Sequence, residues 1–233
     1  MTHARSRESV SLRQRQVALP SERGSVCVLV SGGLDSCVML AELSNRHAVY
    51  PLYVRHGLRW EQAELSHLRR FLRALPVPRF PLHALTVLHL PARNLYGPHW
   101  SLNGKGVPGR ASRDEAVYLP GRNLLLLAMA SVFCAVRGIR TIAIGTLRGN
   151  PFADATPVFF RQFATLAVRA LHFSETIVSP FCNLSKEQVI QRGRQLPLHL
   201  TFSCLNPQRG RPCGRCNKCA ERQRAFQSAA QKR

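Results

Sequence analysis

The chain has 233 residues, 45% hydrophobic and 19% charged, with 33 Lys and Arg against 12 Asp and Glu and a formal charge of +21. That length buries a core without disulfides, and that balance excludes disorder along most of the chain. No uncharged apolar run reaches the ~18 residues a membrane span requires, and eight unevenly placed cysteines do not make a disulfide scaffold.

Four of the basic residues are Lys (Lys105, Lys186, Lys218 and Lys232) and the other 29 are Arg. The shortage of acids predicts a positive surface field that attracts anions, whether ATP, an acidic small molecule or RNA. No dense Arg/Lys run with interleaved aromatics is present, so a nucleic acid is the less favoured partner. Residues 1–23 read as a flexible basic leader without the apolar stretch of a secretory signal, and a cytoplasmic location with reduced cysteines is expected.

From residue 24 strands and helices alternate. The run VCVLV within 25–30 predicts a short buried strand, followed by a helix over 35–46 and a second strand over 48–54. Trp60, Leu65, Leu68, Leu72 and Leu75 fall at helical spacing and predict an amphipathic helix over 60–75. A third strand fits 85–90. Residues 94–114, rich in Gly, Pro and Asn, read as a loop of unusual length and suggest an active-site lid. A helix over 124–136, a strand over 141–145, a helix over 159–172, a strand over 176–179 and a helix over 185–193 complete the series. The alternation predicts a Rossmann-like α/β fold, a parallel sheet with helices on both faces, whose ligand crevice lies at the carboxyl ends of the strands. Residues 24–200 form the expected nucleotide-binding domain and residues 201–233 a small cysteine-rich segment.

Between the first strand and first helix stands Ser31-Gly32-Gly33-Leu34-Asp35-Ser36. Two glycines let the backbone turn sharply and approach an anion, and a helix N-terminus supplies free N–H groups. A plain strand-to-helix turn, with Asp35 or Ser36 as N-cap, is the simpler reading of a Gly-Gly pair. The whole hexapeptide after a buried strand is more specific, and it lacks the GKS/GKT ending of the other common phosphate loop.

Cys204, Cys213, Cys216 and Cys219 follow the spacing C-x8-C-x2-C-x2-C. Four thiolates in sixteen residues predict a tetrahedral metal site with no open coordination position. Zinc and an iron–sulfur cluster compete for it. Cys27, Cys37, Cys134 and Cys182 lie in apolar surroundings and read as core residues.

The hexapeptide resembles the PP-loop, SGGxDS, of the ATP pyrophosphatases. That resemblance implies an adenine-nucleotide alpha-hydrolase-like fold and cleavage of ATP between its α and β phosphates with Mg²⁺ sharing the charge. Joined to Phe202-Ser203-Cys204, to Cys213-Gly214, Cys216, Cys219, Arg222 and Phe226 at the end, and to Leu119-Pro120-Gly121-Arg122-Asn123 in the middle, it resembles the 7-cyano-7-deazaguanine synthases, the QueC family, over about residues 25–227. Ile144-Gly145 followed by Asp154, and Ser185-Lys186, match further family segments. The family's YPDCR block reads Phe152-Ala153-Asp154-Ala155-Thr156 here, and its YGQxHxxE region is matched loosely by Arg55-His56-Gly57, Glu61 and Glu64.

The resemblance implies an ATP-dependent carbon–nitrogen ligase. It would convert 7-carboxy-7-deazaguanine and ammonia to the nitrile that precedes queuosine in tRNA, through an acyl-adenylate, an amide and a second adenylate. Asp35, Ser36, Asp154 and Lys186 are the expected catalytic residues. Ser31, Gly32, Gly33, Leu34, Asp35, Ser36, Arg122, Asn123 and Gly145 are the expected nucleotide-binding set. The family match favours one structural zinc per chain on the four cysteines. A homodimer is left open. The alternative function is a PP-loop tRNA thiolase, or a related enzyme that attaches a deazaguanine to a macromolecule.

Overall fold

In a computed structural model of the protein, residues 24–231 are described; the expected leader, 1–23, lies outside them. Five strands, β1 (Ser25–Leu29), β2 (Ala48–Arg55), β3 (Thr86–His89), β4 (Thr141–Ala143) and β5 (Thr176–Val178), form one sheet in the order β3-β2-β1-β4-β5. Every pairing is parallel, with Val28 of β1 facing Pro51 of β2 on one side and Ala143 of β4 on the other.

The apolar run of β1 is explained by burial on two sides. Val26, Val28 and Val30 join one core; Cys27 and Leu29, on the alternate face, join another. The first core is covered by α1 (Leu34–Ser44), α2 (Glu61–Ala74), α7 (Lys186–Arg192) and α8 (Asn217–Gln231), the second by α5 (Arg122–Arg137) and α6 (Pro157–Leu171). The expected class, a parallel sheet with helices on both faces, is the observed one. The chain runs outward from β1 to β2 and β3, then returns to the other side of β1 to place β4. A crevice therefore opens between the carboxyl ends of β1 and β4.

One sequence expectation is corrected. Residues 94–114 are not a lid over the crevice. The segment folds into α3 (Arg93–Tyr96), α4 (Trp100–Asn103) and, just beyond it, a 3-10 turn over Asp114–Val117, and it straps down the cysteine-rich end. Asn217 donates its backbone N–H to the Pro108 carbonyl (2.9 Å) and its Nδ2 to the Ser112 carbonyl (2.7 Å), while Arg110 Nη1 donates to the Gly214 carbonyl (2.7 Å). Tyr96, Trp100, Leu102, Val107 and Val117 pack against a third buried cluster that holds Leu58, Trp60, Phe202 and Cys204. Their uneven spacing carries no helical or strand period, so they read as a loop.

The C-terminus holds an element that the sequence reading did not name. The cysteine segment runs directly into a 15-residue helix, α8, whose Ala225 and Ala229 enter the first core. Its Arg, Gln and Lys content hides that narrow alanine face.

Candidate active site and metal centre

The turn after β1 is shaped by contact with α2. Gly32 has φ +74, and a Cβ there would stand 2.8 Å from the Glu64 carbonyl oxygen. Only glycine meets both conditions. Ser31 and Ser36 brace the turn from within: the Gly33 N–H reaches Ser31 Oγ (3.3 Å), the Ser31 N–H reaches Ser36 Oγ (3.1 Å), and Ser36 Oγ donates to the Gly33 carbonyl (3.2 Å). Gly33 is the N-cap of α1 and no side chain caps the helix. Its first N–H groups and the positive end of its dipole therefore face the crevice. From the other side the Phe202 N–H donates to the Gly32 carbonyl (2.8 Å) and ties the cysteine segment to the turn.

The crevice holds a cavity of about 280 Å³. On one wall Lys186, in the first turn of α7, bonds Asp35 Oδ2 (2.9 Å) and Glu221 Oε1 (2.7 Å), and Lys218 bonds Glu221 Oε2 (2.6 Å). Burial favours a neutral lysine, but the two carboxylates outweigh it and hold Lys186 above its usual range. Burial likewise favours a neutral Glu221, but Lys186 and Lys218 bring it down to about 2. The second oxygen of Asp35, Oδ1, is buried without a hydrogen-bond partner.

The opposite wall is the start of α5. Gly121, at φ +68, turns the chain into the helix and offers no capping side chain. The cap comes from a distant residue: Asp154 Oδ2 accepts the Asn123 N–H (3.0 Å) and Oδ1 accepts Asn123 Nδ2 (3.2 Å). Arg122 lies in the first turn, where the dipole disfavours a cation, and its Nε is buried without a partner. Such a group is set to meet an anion or another acceptor.

Glu64 forms part of the cavity wall. Tyr53 donates its hydroxyl to Glu64 Oε2 (2.7 Å), and no hydrogen bond from a described residue reaches Oε1. Burial raises its carboxyl to about 8 against the opposing pull of Arg122 and the Tyr53 hydrogen bond. Trp60, Tyr118, Phe152 and Phe202 supply flat apolar lining, with the Tyr118 and Phe152 rings 5.0 Å apart.

The four clustered cysteines converge as their spacing predicts, with all sulfurs within 4.8 Å of one another. A tetrahedron of thiolates around zinc at ~2.3 Å has edges of about 3.8 Å, so the sulfurs fit that group. Backbone N–H groups of Asn206 and Cys213 point at Cys204 Sγ (3.3 and 3.2 Å), and that of Leu205 at Cys216 Sγ (3.4 Å). These donors stabilise thiolate charge. Cys204 and Ser203 also line the cavity, so the cluster adjoins the crevice.

Of the residues singled out from sequence, Ser31, Gly33, Leu34, Asp35, Arg122, Asn123, Gly145, Asp154 and Lys186 line the cavity. Ser36 lines an adjoining hollow of about 130 Å³, beside Ser31, Tyr53 and Arg122. Gly32 lines neither and acts through the turn. Asp154 lines the cavity with each of its oxygens accepting a hydrogen bond from Asn123. Sequence reasoning gave no place in the crevice to Lys218, Glu221, Arg222 or the aromatic walls. Lys218, Glu221 and Arg222 flank or follow Cys219, and only the helical register of α8 shows that they point into the crevice.

The profile of the family described as queuosine biosynthesis protein QueC matches residues 25–230. A 7-cyano-7-deazaguanine synthase of Leptospira interrogans (strain Fiocruz L1-130) is 31% identical over 221 residues, 89% of this chain and 88% of that protein. The 7-cyano-7-deazaguanine synthase 1 of Desulfitobacterium hafniense (strain Y51) is 30% identical, over 88% of this chain and 92% of its own. The 7-cyano-7-deazaguanine synthase of Azoarcus sp. (strain BH72) is 32% identical, over 87% and 92%. Among the described residues no helix is long and apolar enough to cross a membrane.

Proposed function

The chain belongs to the QueC family, and on that premise we propose that it is an ATP-dependent ligase that converts 7-carboxy-7-deazaguanine and ammonia to 7-cyano-7-deazaguanine. The observation that carries this reading is the meeting, in one cavity, of an uncapped helix N-terminus behind Ser31–Ser36 with the free Arg122 Nε and the Asp35–Lys186 pair.

The chemistry runs in two adenylations. A substrate carboxylate oxygen attacks the α-phosphorus of ATP and pyrophosphate leaves. Ammonia adds to the acyl carbon, AMP leaves, and a proton is lost to give the amide. The amide oxygen attacks a second ATP, pyrophosphate leaves, and one N–H proton is lost. Departure of AMP with the last N–H proton gives the nitrile.

In this reading the α1 N-terminus, Ser31 and Ser36 receive the departing pyrophosphate, where fixed donors meet growing charge. Lys186 follows that charge from Asp35. Arg122 Nε meets a phosphate or the substrate carboxylate. Asp154 is a positioning residue that holds Asn123 and the start of α5, and Gly145 lines the cavity with its backbone beside Ser36. The buried, unpartnered Asp35 Oδ1 fits a share in Mg²⁺ beside phosphate oxygens. The four cysteines would hold one zinc with a structural role.

A zinc site of four thiolates suits a reducing, cytoplasmic location. Exposed Leu124, Val132 and Val136 on α5 with Leu166 on α6 support a homodimer. Incubation with ATP, ammonium and 7-carboxy-7-deazaguanine, followed by mass analysis, tests the reading: the nitrile is the expected product.

A further inference from the structure

The substrate of the proposed reaction carries a guanine-type edge, a ring N–H beside an exocyclic amino group, on the side away from its carboxylate. Such an edge offers two parallel donors and is matched by one carboxylate. Four carboxylates line the cavity. Asp35 is held by Lys186, Glu221 by Lys186 and Lys218, and Asp154 gives both oxygens to Asn123. Glu64 alone among them has neither a cation in an ion pair nor a full set of donors. Tyr53 fixes one oxygen and leaves the other open.

We propose that Glu64 is a specificity-determining residue that reads the amino-oxo pyrimidine edge of the deazapurine, with Tyr53 as its positioning residue. The inference rests on the function proposed above. Trp60 and Glu64 are four residues apart, and the Glu64 N–H bonds the Trp60 carbonyl (2.9 Å), so both side chains leave α2 on one face. Trp60 is itself stacked on Trp100, ring centroids 5.8 Å apart, which fixes the start of α2 beside Glu64. Phe202, tied to Gly32, lines the same cavity. Ammonium is the other donor-rich reactant. It is the poorer match, because the charge of Arg122 is felt at Glu64 and repels a cation, while neutral N–H donors are unaffected. The raised carboxyl fits a group with no cation partner, whose ionised form two N–H donors would favour.

The test compares 7-carboxy-7-deazaguanine with its analogue lacking the 2-amino group, in the full-length wild type, Glu64→Leu and the isosteric Glu64→Gln. Wild type should prefer the parent in kcat/KM by at least about 10²-fold, because a site built for an N–H donor rejects a ligand without it. Glu64→Leu should bring the two within about tenfold, and Glu64→Gln should fall between. KM for ammonium and for ATP should stay within about threefold of wild type in Glu64→Gln. Should Glu64→Leu fail to fold, the Gln variant decides: an undiminished preference overturns the inference. So does a raised ammonium KM with the preference kept. Both results leave the nitrile synthesis standing. No nitrile from wild type overturns the function, and this inference with it.

Discussion

Asp35 and Glu64 are both carboxylates of one cavity, and their surroundings give them opposite characters. Asp35 is paired with Lys186 and keeps a bare oxygen. Replacing it with Asn should lower kcat by roughly 10²–10³-fold, because the charge that would share Mg²⁺ and that holds Lys186 is lost from the pyrophosphate site. The fold should survive, since Lys186 retains Glu221; a melting temperature within about 2–4 °C of wild type, corresponding to about 1 kcal/mol, is expected. Loss of the cooperative transition would contradict that role. Glu64 predicts a pH effect. Its carboxyl titrates near 4.5 when exposed and near 8 in the fold, so between those values the folded state binds more protons than the unfolded one. The resulting stability is complete below about 4.5 and is lost as pH rises through 8. Tyr53, Arg122 and Glu61 are the neighbours that act on it. Thermal melts from pH 6.5 to 9 should therefore fall more steeply for wild type than for Glu64→Gln, and parallel curves would refute the assignment. Neither behaviour is legible in the chain alone. Glu64 sits in an amphipathic helix among Glu61, Arg69 and Arg70, where an acid normally faces solvent, and only the close approach of Gly32 shows that it is buried.

Among the elements, those with one dominant signal were readable. The β1 run with its glycine turn, and the four cysteines, each combine residue type and spacing that few other structures use. Segments whose burial depends on a distant partner were not. Residues 94–114 pack against the cysteine end through scattered aromatics, and α8 hides its core face behind Lys, Arg and Gln. Asp154 caps a helix that begins 32 residues earlier in sequence, at Arg122, which no local pattern reveals. The strap and α8 together imply that the metal site supports the crevice, because α8 begins inside the cysteine cluster and carries Glu221 to Lys186. Elemental analysis should find about one zinc per chain; iron with visible absorbance would contradict it. Cys216→Ser should lower thermal stability and speed amide exchange in α8 and residues 108–112, because metal binding there contributes folding energy. Unchanged exchange would detach the knuckle from the crevice.

For the molecule as a whole, the parallel topology was legible because strands and helices alternate along the chain and the apolar run of β1 is buried on both faces. The charge of +21 was legible as a number but not as a map. Lys186 and Lys218 are already balanced within that net figure by Asp35 and Glu221, while Arg222 donates to the neutral Thr201 Oγ1 (2.7 Å) and Leu198 carbonyl (2.8 Å), so the excess is carried by arginine. The resulting field should draw compact anions into the crevice with modest salt dependence. A tRNA acceptor with ~6–10 phosphate contacts would instead lose roughly 10³–10⁵ in affinity between 50 and 200 mM salt. A salt titration against bulk tRNA should show weak binding, and tight binding with that steep slope would favour the thiolase-like alternative.

The reaction itself offers the most direct measurement. Purified protein is incubated with α-labelled ATP, ammonium and 7-carboxy-7-deazaguanine, and the nucleotide and deazapurine products are quantified together. The expected result is AMP and pyrophosphate, two of each per nitrile formed, with the amide appearing first. ADP and phosphate as the main nucleotide products, or AMP release without any nitrile, would contradict it.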